Sequence, residues 1–81
     1  MWFVYALYNL IEKKIYIGET GNIERRLIEH NDKKGNHFTA KIKGTWKLIY
    51  QEEVENRHDA LIREKQLKSY KGREVVKIFI K

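Results

Sequence analysis

The stretch Trp2-Phe3-Val4-Tyr5-Ala6-Leu7-Tyr8, followed after a short polar break by Lys14-Ile15-Tyr16-Ile17-Gly18-Glu19, decides the fold. The first run is apolar at both parities, the pattern of a strand covered on both faces, and this places it at the centre of a small sheet. The second run alternates, with Ile15 and Ile17 on one face and Tyr16 and Gly18 on the other. The polar residues 9–13 between them are few enough for a hairpin. Tyr5 and Tyr16, eleven positions apart, are therefore expected on neighbouring strands.

Working outward, Thr20-Gly21-Asn22 breaks the second strand, and Asn22 is a good N-cap for a helix running to about Asn31, with Glu24 in its first turn. At about 100° per residue, Ile23 and Leu27 define the buried stripe of this helix. Arg26 and His30, one helical turn apart, lie on an edge of that stripe, and Arg25 points away. Residues 32–44 are polar and basic and include Gly35 and Gly44, which predicts a long loop anchored by Phe38. From Trp46 to Val54 the alternation of Trp46, Leu48 and Tyr50 against Lys47, Ile49 and Gln51 predicts a third strand, pairing with the first. Asn56 caps a second helix expected from Arg57 to about Tyr70, ended by Lys71-Gly72 with Gly72 as its left-handed residue. On its wheel, with Ala60 at zero, Leu67 falls at about 340°, Leu61 at about 100° and Glu64 at about 40°. These apolar residues set the buried stripe, and a carboxylate sits inside it. The C-terminal segment Glu74–Lys81 admits a strand, from its β-branched residues, or a short helix, from the spacing of Val75, Ile78 and Phe79.

Composition narrows the function. The chain has 81 residues, and because a protein of this size buries only about 60% of its unfolded surface, residues 1–81 are expected to make one domain. Charged residues make up 35% of the chain and the net charge is +6, which suits a polyanionic partner. With no cysteine, a disulfide framework and a thiolate metal site are excluded, and a reducing cytoplasm is the expected setting. No apolar run approaches the ~18 residues of a membrane span, and the opening hydrophobic run lacks a basic leader and a small-residue cleavage site, so no membrane partner is expected.

Glu64 is the most informative single position, because a carboxylate on a core-facing stripe is costly unless it is paired, hydrogen-bonded or bound to a metal. Lys68 at i+4 offers it an ion pair in the favourable Glu-before-Lys order, which is the alternative to a functional role. Two tyrosines on adjacent strands, an arginine and a histidine on the next helix, and a glutamate on the second helix match the needs of phosphodiester hydrolysis. That reaction removes a proton from water, stabilises negative charge on phosphorus and holds a divalent cation by oxygen. A tyrosine, with a pKa near ~10, serves as the base only where a neighbouring cation favours its phenolate. Lys13, Lys14, Arg25, Lys41 and Lys43 are candidates for contact with a phosphate backbone.

The ordered set Phe3-Val4-Tyr5, Tyr16-Ile17-Gly18, Glu24-Arg25-Arg26-Leu27 with His30-Asn31, and Arg63-Glu64-Lys65 resembles the GIY-YIG nuclease superfamily. It is most similar to the small stand-alone prokaryotic members related to the nuclease domain of the excision-repair endonuclease subunit. The first motif departs from the family pattern, with Phe-Val-Tyr standing for Gly-Ile-Tyr, and the asparagine that some members carry after the glutamate has no counterpart. The resemblance implies an α+β fold, a three-stranded antiparallel sheet flanked by helices. It implies a DNA endonuclease dependent on Mg²⁺ or Mn²⁺, with Tyr5, Tyr16, Arg26, His30 and Glu64 as catalytic residues and Glu64 as the metal ligand. The substrate would be DNA, branched or damaged, with a protein partner supplying specificity. The alternative is a catalytically silent module that binds DNA or RNA on the same fold.

Overall fold

The computed structural model describes residues 1–31 and 44–80. Its order is β1 (Trp2–Asn9), β2 (Lys14–Thr20), α1 (Ile23–Asn31), β3 (Trp46–Val54), α2 (Arg57–Lys68) and α3 (Tyr70–Lys77). The three strands form one antiparallel sheet in the order β2-β1-β3, so the doubly apolar β1 is central and the fold is α+β, as expected. The two faces divide by parity along β1. Val4 and Ala6 pack with Ile17 against Ala60 and Leu67 of α2 and Val76 of α3. Tyr5 and Leu7 pack with Trp46 and Leu48 against Ile23 and Leu27 of α1, with Tyr16 alongside. The sheet is thus sandwiched, α1 on one side and α2 with α3 on the other.

Asn9 organises the β1–β2 turn. It is fully buried, its Oδ1 accepts the backbone N–H groups of Ile11 (3.0 Å) and Glu12 (2.9 Å), and its carbonyl accepts Lys13 N–H at 2.8 Å with Lys13 in the left-handed region. Those backbone groups are satisfied locally, as a tight turn requires. The cap at Asn22 forms as expected, its Oδ1 accepting Arg25 N–H at 3.0 Å. Asn56 does the same for Asp59 N–H at 2.9 Å. Asn31, the last residue of α1, reaches across to β3: its Nδ2 donates to Trp46 O (3.1 Å) and its Oδ1 accepts Trp46 N–H (2.7 Å). This side-chain amide replaces a strand partner at the start of β3.

The structure corrects four of the expectations. The alternation in β3 does not persist, because the register against β1 shifts between Ala6 and Leu7, where Leu48 faces Leu7 but Tyr50 faces Ala6. The extra residue of the bulge turns the strand over, so Trp46 and Leu48 join the α1 side while Ile49 and Tyr50 join the α2 side. The second helix stops at Lys68 rather than Tyr70, since Ser69 is extended, closes α2 through its N–H to Gln66 O, and caps α3 by accepting Gly72 N–H. Gly72 is therefore inside α3 and has no positive φ; a β-carbon there would overlap Gln66 O and Leu67 Cα, so the glycine is needed for close helix approach. Leu61 lies outside the buried stripe, 46% exposed beside a fully buried Ala60, because α2 touches the sheet along a narrow line through Ala60 and Leu67. The C-terminal segment takes the helical alternative, with α3 already begun at Tyr70. Phe38, Lys41 and Lys43 lie outside the described residues. Among the described residues no helix is long and apolar enough to cross a membrane.

Candidate functional site

On the α1 side of the sheet, Tyr5 pairs with Gly18 and Leu7 with Tyr16, so the two tyrosines are diagonal neighbours on one face. Their ring centroids are 6.2 Å apart. Gly18 makes this possible: a β-carbon there would sit 2.8 Å from the Tyr5 oxygen and 2.9 Å from Tyr16 Cε2. The expected face of Gly18 is observed, but its role as the gap that seats both rings depends on strand register and could not be read from spacing.

From α1 above, His30 closes the cluster. It is the only fully buried residue of that helix, 1% exposed, with its ring centroid 4.9 Å from Tyr16 and 6.1 Å from Tyr5. Its Nε2 is 3.0 Å from the Tyr5 oxygen, a hydrogen bond whose direction follows the imidazole tautomer. Burial pushes the Tyr5 pKa well above the ordinary phenol value; nearby Tyr16 adds to this, and the Arg26 cation pulls the other way without cancelling it. Tyr5 is thus a neutral phenol at physiological pH. The Glu64 carboxylate is also near enough for its charge to disfavour the Tyr5 phenolate, which links α2 electrically to a residue under α1.

Arg26 donates from Nη1 to Glu29 Oε1 at 3.2 Å with its side chain 27% exposed. Partial burial works against its cation, but Glu29 and the neighbouring tyrosines outweigh that, and the guanidinium stays charged. Arg25, 67% exposed, reaches only the far oxygen of the same glutamate at 3.9 Å. The two arginines therefore separate as their wheel positions predict, and Glu29, which braces Arg26, is visible in the sequence only as an acid at i+3. Glu64 is 18% exposed and its Oε1 lies 2.6 Å from Lys68 Nζ, so the i+4 ion pair is formed. The expected site residues Tyr5, Tyr16, Arg26 and His30 come together, the Glu64 charge is felt at Tyr5, and Lys13, Lys14 and Arg25 lie outside the cluster.

Among the described residues no three His, Asp or Glu side chains converge as a metal cage. The donor chemistry nevertheless fits Mg²⁺ or Mn²⁺. These hard cations keep several waters and are commonly held by one or two carboxylates plus phosphate oxygens, and Glu64 is a partly exposed carboxylate whose charge is felt at Tyr5.

Residues 1–77 match the GIY-YIG catalytic domain. The chain is 35% identical over 80 residues to a UPF0213 protein of Limosilactobacillus reuteri, covering 98% of this chain and 82% of that one. It is 38% identical over 80 residues to a UPF0213 protein of Desulfotalea psychrophila, covering 94% and 71%, and 34% identical over 64 residues to one of Staphylococcus saprophyticus, covering 79% and 77%. No solved structure matches the chain significantly. A small α+β domain with paired strand tyrosines under a helical arginine and histidine is a domain of nuclease type. The chain belongs to the GIY-YIG family.

Proposed function

We propose that the protein is a divalent-metal-dependent endonuclease that hydrolyses DNA phosphodiester bonds. The observation carrying this reading is the convergence of Tyr5, Tyr16, His30 and the charged Arg26 on one sheet face, with the Glu64 carboxylate near enough to be felt at Tyr5. Tyr16 is only half-buried, so it is the tyrosine whose oxygen a water on the substrate can reach; it orients that water, and as a phenolate it would take up the water's proton and become the phenol. Tyr5, neutral and hydrogen-bonded to the buried His30, packs against the Tyr16 ring, and the imidazole can carry a proton onward. Arg26 faces the phosphate and stabilises its developing charge. Glu64 would hold Mg²⁺ or Mn²⁺, which when bound neutralises charge on the scissile phosphate. A domain of this size has little surface for base readout, so branched or damaged DNA is the substrate class, with DNA repair in the cytoplasm as the setting and a protein partner adding selectivity.

One observation favours a second reading, a module that binds nucleic acid without cutting it: Lys68 already neutralises Glu64. The deciding experiment incubates the protein with duplex, branched and single-stranded DNA, with and without Mg²⁺. Metal-dependent cleavage that Arg26→Ala abolishes, while Arg25→Ala only weakens binding, supports the enzyme. Equal loss of turnover in both variants at saturating DNA removes the role given to Arg26, and binding without cleavage on every substrate establishes the silent module.

A further inference from the structure

Away from the tyrosine face, a groove of about 540 Å³ opens between the start of β2 and the outer sides of α2 and α3. Its charged walls are Lys13 and Lys14 from the hairpin, Lys68 from α2, and Arg73 and Lys77 from α3; among the described residues none that lines it is acidic, and Tyr16 forms one border. A second concavity, at the other end of β2, gathers Arg25, Arg26 and Arg57 but also contains Glu19, which already engages Arg57 at 3.6 Å and the Trp2 indole N–H. Of these two, the first presents cations from three separate elements with no acid among the described residues that line it.

Like charges converging from three elements raise the local potential, and a concave wall with low-dielectric backing focuses it. Folding gains nothing from that arrangement, whereas a polyanion does. We infer that this groove is a second phosphate site, the seat of the DNA strand next to the scissile phosphodiester, with Lys68, Arg73 and Lys77 contacting its backbone together with the hairpin lysines. The inference rests on the nuclease reading, since Tyr16 is the point where groove and site meet. Arg73 is well placed for the role: its Nε donates to Lys68 O at 3.2 Å, which fixes the guanidinium at the groove wall and leaves its terminal nitrogens for phosphate. Lys77 reaches Glu74 at 3.6 Å with both side chains about half exposed, an ion pair weak enough to exchange for a phosphate contact. A phosphate in the groove also sets the Lys68 ammonium between two anions, loosening its hold on Glu64.

The test is metal-free binding of a labelled DNA duplex in EDTA, followed by anisotropy across a salt series, for wild type, Arg73→Gln, Lys77→Gln, the double variant and Lys71→Gln. Lys71 is exposed on the same helix but does not line the groove. Each lost contact lowers the slope of log K against log salt by ~0.9, so the double variant should lose about 1.8 and Lys71→Gln almost nothing. An unchanged slope in the double variant, or an equal fall in Lys71→Gln, overturns the groove. Cleavage of duplex, branched and single-stranded DNA with Mg²⁺ separates the two readings: an unchanged slope with intact cleavage sinks the groove alone, and a reduced slope without cleavage of any of the three sinks the nuclease reading while the phosphate contacts stand.

Discussion

Gly18→Ala adds one methyl group at the point where the two tyrosines meet. No positive φ is found there, so alanine can adopt the backbone, and a strand would ordinarily gain about 0.5–1 kcal/mol from the exchange. The contacts decide otherwise. The new carbon would lie 2.8 Å from the Tyr5 oxygen, 3.0 Å from Tyr5 Cζ and 2.9 Å from Tyr16 Cε2. Tyr16 has room to shift, but Tyr5 is 1% exposed and bonded to His30. Overpacking of this kind costs roughly 1–3 kcal/mol, and giving up the Tyr5–His30 bond adds about 0.5–1.5 kcal/mol. Against the strand gain, the net loss should be about 2 kcal/mol, which in a domain of this size lowers Tm by roughly 10 °C. Urea denaturation of wild type, Gly18→Ala, Tyr5→Phe and the double variant reads this directly. With the phenolic oxygen gone, the alanine should cost about 1 kcal/mol less than it does in the Tyr5 background, a coupling typical of touching residues. An identical alanine cost in both backgrounds would refute the contact-based reasoning.

The other expectations concern single interactions. Glu64→Gln should leave Tm nearly unchanged, because the Lys68 ammonium is half exposed and solvent takes over from the lost ion pair, while cleavage under Mg²⁺ titration should disappear; wild-type cleavage rates would end the metal assignment. Glu52 gives a pH signature: partial burial works to raise its pKa, yet the Tyr50 hydroxyl and the Arg63 guanidinium hold it below the ordinary carboxylate value. A depressed folded pKa means the stabilisation is complete above the ordinary value of 4.5 and is lost as pH falls through the folded value, so acid melts of Glu52→Gln should converge with wild type at low pH and fall below it, by less than about 1 kcal/mol, near neutrality. Asn31→Ala removes both hydrogen bonds to the Trp46 backbone and should cost about 1–3 kcal/mol by urea denaturation, with a loss under a few tenths showing that other partners hold the start of β3.

How far the sequence carried the fold depended on whether a pattern was local. The double-sided apolarity of β1, the alternation in β2 and the two asparagine caps are properties of neighbouring residues, and each appears where expected. The β3 face change is not local: Tyr50 turns away from Leu48 because β1 opposes it out of step, and nothing within Trp46–Val54 encodes that. Gly72 misled for a related reason, since a glycine after a helical pattern usually marks an end, whereas here it lets α3 approach the last turn of α2. The candidate site was legible as an ordered list of residue types, and the Glu64–Lys68 pair as an i+4 spacing. What the list did not contain was accessibility. That Tyr5 and His30 are sealed while Tyr16 remains at the rim follows from how α1 settles on the sheet, a consequence of packing several elements at once.

The bidentate bond between Asn31 and the Trp46 backbone fixes where the chain leaves α1 and where it enters β3, independently of what joins the two points. Because one side-chain amide holds both backbone groups of a single residue, the end of α1 and the start of β3 are locked as one unit, and a displacement of either is carried to the other. His30, the residue before Asn31, is hydrogen-bonded to Tyr5, so the clamp at the first residue of β3 also sets the helix end that closes the tyrosine cluster.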